Sequence, residues 1–160
     1  EVLLAVPTTG LTQDVQKKIL QFCQVLEADF IPHSRQEEVS LFPLLSARLM
    51  REGEHSKGRS PTTSVDLMRE DHLKVIQLVA VIANFLRLAP HLADAGSRLV
   101  VQDAALRQAK SLTALLRLHI FREDNIVFSS AHRLIAAAEF DNMGSEAREE
   151  VAAGRTAGVI

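Results

Sequence analysis

The 160-residue chain has no tryptophan, no tyrosine and a single cysteine. Seven phenylalanines supply all of its aromatic content. Leucine, alanine and valine make up most of the remaining apolar part, a composition that favours helices over sheets. With Cys23 alone, no disulfide can form within the chain, and a reducing cytoplasm is the expected setting. A net charge of −2 leaves no basic excess for nucleic acid or an anionic membrane surface. Long uninterrupted apolar runs are also missing. The most apolar stretch, LKVIQLVAVIANFLRLA at 73–89, is short for a membrane span and contains Lys74, Gln77, Asn84 and Arg87. Residues 1–6 lack the basic start and the apolar length of a signal peptide. Period-two alternation of useful length does not occur, which argues against half-buried strands.

What remains is enough apolar residue for one hydrophobic core, arranged in three long helical patterns. The first starts at Thr12, a candidate N-cap, and runs to about Met50, with Ile19, Phe22, Leu26, Phe30, Leu41 and Leu44 on one stripe. Pro32 and Pro43 are expected to bend or interrupt it. The polar segment REGEHSKGRSPTTS at 51–64 reads as a loop. The second pattern starts at Thr63 or Ser64 and ends near Pro90; the third starts after Gly96 and continues to about Glu139. The expected fold is all-α, with one helical domain over residues 1–140 and a tail over 141–160 that has room for a short helix.

Two of these patterns carry the same oddity. IPHSRQEEVSLF places His33 and Glu37 four residues apart in an otherwise apolar face, and LRLHIFREDNIVF does the same with His119 and Glu123. The shared frame is H-x-x-x-E-[ED]-x-x-x-F. At about 100° per residue, positions i and i+4 project from one side of a helix. Ala105, Leu112, Leu115, Leu116 and Ile126 lie on the His119 side of the third pattern. His72 occupies the same kind of position in the second, among Val65, Met68, Ile76, Val79 and Ala83.

A single histidine on an apolar face is more often a hydrogen-bonded core residue than a ligand, and one His/Glu pair can be a local contact. The set as a whole is harder to explain that way. Two ionised glutamates among apolar residues are costly unless compensated. Arg35, Arg48, Arg117 and Arg122 all fall on other faces. A divalent cation is the natural compensation, since imidazole and carboxylate projecting inward from helices are how helical bundles hold metals. Glu38 and Asp124 are rotated off the stripes and are expected to be solvated or to support the ligands from behind. His132 is some 19 Å along the helix from His119 by the rise per residue, too far for one site, and His55 and His91 sit in a loop and at a helix end. Cys23 reads as a small core residue.

These segments resemble the hemerythrin-like (HHE cation-binding) domain family. PHSRQEEVSLFPLL, EDHLKV and LHIFREDNIVF correspond to three of its signature segments, in order, over roughly residues 12–130. The resemblance implies an antiparallel up-and-down four-helix bundle with a non-haem di-iron centre. His33, His72 and His119 would be terminal ligands, and Glu37 and Glu123 would bridge the irons. The family's first-helix histidine has no counterpart, because no histidine precedes His33. The first pattern therefore reads as the family's second helix, with the first expected to lie before Glu1 or to be missing. Three histidines and two glutamates suit one ion well and two sparsely, and the apolar groove left uncovered would be filled by the tail or by a second copy in a homodimer.

The function expected is a metal-binding domain, with two irons preferred over one iron, zinc or manganese, that senses, binds or stores iron or responds to O2 or NO. Peroxide reduction or iron–sulfur repair is the enzymatic alternative, for which no further acid or base is evident. A degenerate, metal-free helical interaction domain is the other. No nucleic-acid or membrane partner is expected.

Overall fold

The computed structural model describes residues 10–143. Among them the regular structure is helical throughout, with no strand, as composition and periodicity predict. The tail expected over 141–160 lies outside the described residues from 144 onward.

The first long pattern becomes α1 (Gln13–Val25), a π-turn (Leu26–Phe30), α2 (Ile31–Val39) and α3 (Leu41–Arg51). Thr12 caps α1, its Oγ1 accepting the Val15 N–H at 3.3 Å. The two interruptions fall where the prolines require them. Pro32 has no N–H for the Ala28 carbonyl and its ring crowds that carbonyl. Just ahead of it the ladder widens, and the Ile31 N–H donates to Leu26, five residues back. Pro43 raises the same conflict with Val39. There Ser40 leaves ideal helical geometry at φ −109°, ψ −72°, and its hydroxyl donates to the Gln36 carbonyl at 2.6 Å.

The loop that follows is closed by Ser56 and Thr62, and α4 (Ser64–Leu88) begins at a capped Thr63. The Thr63 N–H and hydroxyl both donate to Asp66 Oδ2, at 2.7 and 3.2 Å. This is half of a capping box, and Asp66→Ala is expected to lower the unfolding free energy by about 1 kcal/mol in urea titrations. With the short 3-10 turn Ala89–His91, the helical stretch Ser64–His91 is long and apolar enough by length and composition to cross a membrane. A core helix passes the same test, and Val65, Met68, Val75, Val79, Ile82 and Leu86 of α4 are all buried in the cores described below.

The last pattern opens at Asp94, whose Oδ1 accepts the Ser97 N–H at 2.7 Å. It comprises α5 (Ala95–Arg122), a second π-turn (Glu123–Val127) and α6 (Phe128–Leu134). It does not reach Glu139 unbroken. Ile135 is extended, at φ −114°, ψ 126°, and buried, and residues 137–143 form a new helical stretch. Glu139 supports that restart: its Oε2 accepts the Ala136 N–H at 3.0 Å and its Oε1 meets Arg48 Nη2 at 2.6 Å. The Ala136 N–H and the Arg48 guanidinium hold the Glu139 carboxyl below its ordinary value of 4.5. A depressed folded pKa means stabilisation that is complete above the unfolded value and lost as pH falls through the folded one. Glu139→Gln should therefore melt below the parent protein at pH 7, with the gap closing in acid.

The described residues fall into two compact units: residues up to Pro32 with Glu70–Ile120, and His33–Arg69 with Phe121 onward. The first unit's core is built on Cys23, Val79, Ile82, Leu86, Ala105 and Leu112. Cys23 is the small core residue expected, 1% exposed, and burial pushes its thiol pKa up, with Glu27 adding to the effect. The second unit's core is built on Phe42, Leu45, Leu49, Val65, Met68, Val127 and Ala131.

Three stripe residues depart from expectation. Phe22 is 44%, Ile76 38% and Ile126 40% exposed. The first two stand at the edges of their stripes, where Cys23 and Val75 take the inward places. Ile126 is turned out by the π-turn, whose extra residue advances the register so that Val127 is buried instead.

Candidate metal centre

Within the second unit, α2 carries His33 and Glu37 one turn apart, and the second π-turn opens with Glu123. His33 Nε2 lies 3.7 Å from Glu37 Oε2 and 3.5 Å from Glu123 Oε1. One donor atom from each of the three residues lies within 4.8 Å of the others. The separations approach the ~3–4 Å between donors that share one cation at bond lengths of about 2 Å. The side chains of Glu37 and Glu123 are 7% and 14% exposed, whereas His33 is 48% exposed. Burial, and then the charge of Glu37, raise the Glu123 carboxyl above its ordinary 4.5, while His33 works in the opposite direction.

Two carboxylates held this close in a partly dry setting repel one another and each favours a nearby positive charge. An imidazole that can offer a nitrogen completes a donor set suited to iron, manganese or zinc. The residues present therefore fit a divalent cation. A cavity of about 260 Å³ adjoins them, lined by His33, Gln36, Glu37, Ser40, Leu41, Phe128, Phe140 and Met143.

Within the first unit, His72 on α4 and His119 on α5 are 1% and 2% exposed, with ring centroids 5.1 Å apart. Phe30 meets both imidazoles edge-on, with centroids 5.5 Å from each. The stripe pattern places Phe30 inward but assigns it no part in seating these rings. Glu38 and Asp124 are exposed, as their rotation off the stripes implies. His132 Nδ1 is 2.7 Å from the Phe128 carbonyl, and His55 lies in the loop against Ser56.

The helical period alone does not foresee the two π-turns, although each has a sequence cause. Pro32 follows the first. In the second, the Asn125 side-chain amide donates to the Phe121 carbonyl at 2.8 Å, occupying the acceptor that the Asn125 N–H would use in a regular ladder. π-turns recur at functional positions in helices, and these two stand immediately before α2, which carries His33, and at Glu123.

The family described as Hemerythrin HHE cation binding domain matches residues 2–131. No curated protein and no solved structure matches the chain.

Proposed function

Because the chain belongs to the Hemerythrin HHE cation-binding domain family, we propose that it is an iron-binding module in which His33, Glu37 and Glu123 hold the cation. The observation that carries this reading is the grouping of one imidazole nitrogen and two mostly buried carboxylates within 4.8 Å. By the family's pattern His72 and His119 would be further donors, and two irons would be the preferred occupancy. When bound, iron supplies a redox couple and an affinity for small diatomic ligands such as O2 or NO. The chain's own part is to hold Glu37 and Glu123 in place, to present the His33 nitrogen, and to limit water through the apolar side chains around them.

Sensing or binding is favoured over turnover, because among the described residues the cavity beside the cluster adds no acid or base to the metal-binding ones. Its remaining polar members are Gln36 and Ser40. Anaerobic titration with ferrous iron, followed by exposure to NO, tests the proposal. Saturable uptake with a new visible band is expected in the parent protein, and His33→Ala and Glu37→Ala should lose most of both. Full iron content in His72→Ala and His119→Ala would remove those two residues from the ligand set.

A further inference from the structure

The break at Ile135 gives the second unit a feature that metal binding alone does not require. After the extended Ile135, helix 137–143 places Phe140 and Met143 in the wall of the cavity lined also by His33 and Glu37. That helix is tethered at its first turn. Glu139 accepts the Ala136 N–H at 3.0 Å and the Arg48 guanidinium at 2.6 Å, and Arg48 belongs to α3, 91 residues earlier. Ile135, Phe140 and Met143 pack into or against the core around Leu45 and Val127. Part of the cavity wall is thus a helical stretch that follows a two-residue connection and is held, among other contacts, by the Arg48–Glu139 ion pair and by apolar packing.

We propose that helix 137–143 is a cover over the His33–Glu37–Glu123 cluster that restricts bulky anionic ligands, with Arg48 and Glu139 as its latch. This rests on the reading of the cluster as a metal centre. Phe140 and Met143 offer a large anion no hydrogen bonds and take up the space it would need. Arg48, a cation on α3, is engaged by Glu139. A small uncharged molecule meets neither obstacle. Releasing the latch leaves the three donors untouched and makes only the approach easier.

The test uses the whole protein loaded with Co2+ and mixed with excess EDTA, the cobalt absorption being followed in time. Arg48→Met and Glu139→Gln should each release Co2+ faster, by up to about fivefold, as expected when a partly exposed ion pair is lost. Glutamine keeps an oxygen for the Ala136 N–H, so the helix start survives. The double variant should be no faster than the faster single, because both substitutions remove one shared contact. Met143→Ala opens the wall without touching the latch and should also be faster. Unchanged rates in all of these, with the same Co2+ content per chain, would overturn the cover while leaving the metal centre intact. Absence of Co2+ binding that depends on His33 would overturn the metal centre and the cover together.

Discussion

Glu123→Gln is expected to act in opposite directions on the metal-free and metal-loaded protein. In the metal-free state burial and the charge of Glu37 raise the Glu123 pKa. A group whose folded pKa is raised contributes stability below its unfolded value and loses it as pH rises through the folded one. Ionising the carboxylate therefore burdens the metal-free fold. A neutral glutamine of the same shape removes that burden, so the metal-free variant should melt at or above the parent at pH 7, with the difference vanishing as pH falls into the carboxylate range. With metal the order reverses. A cation present at about a hundred times its dissociation constant stabilises the parent by about 2.7 kcal/mol, which for a domain of this size is a rise of roughly 5–10 °C. The variant should show little of that rise. Paired melting curves with and without Fe2+ or Zn2+ measure both halves. Equal metal-induced shifts in parent and variant would remove Glu123 from the site.

Phe42→Ala should be the most damaging single change outside the site. Phe42 is fully buried in the second unit's core, with the Arg69 guanidinium 5.8 Å from its ring centroid. Truncation loses the apolar transfer energy and leaves a cavity, a combined cost of about 3–5 kcal/mol, with a further ~0.5–1 kcal/mol from the cation–π contact. Phe22→Ala is the matched control. Phe22 is 44% exposed, and its loss should cost about 1 kcal/mol or less. Urea unfolding of both variants checks the contrast. Similar costs would mean that the burial pattern assigned to the first long helical run is wrong.

The sequence was most legible where chemistry and local geometry coincide. H-x-x-x-E on an apolar helix face leads directly to His33 and Glu37, because burial of a carboxylate demands a partner and the helical period places both side chains together. Thr12, Thr63 and the 51–64 loop follow from capping and turn chemistry and appear where expected. The departures come from effects the helical period cannot carry. The π-turn at Glu123–Val127 depends on the Asn125 amide taking a backbone acceptor, and its extra residue exchanges Ile126 for Val127 in the core. The interruption at Ile135 has no glycine or proline to announce it. It is supported by the partnership of Arg48 and Glu139, residues too far apart in the chain for any local pattern to join. The helical period puts Phe30 on the inward face, but its contact with His72 and His119 is tertiary.

The most direct test of the central claim is metal content per chain, measured by elemental analysis on protein purified without an affinity metal column, together with the visible spectrum. The parent and a His33→Ala/Glu37→Ala double variant are compared at equal folded concentration. Iron is expected in the parent, near two per chain if the paired centre forms, and little or none in the double variant. Equal metal in both, or none in a parent protein supplied with iron, would contradict it.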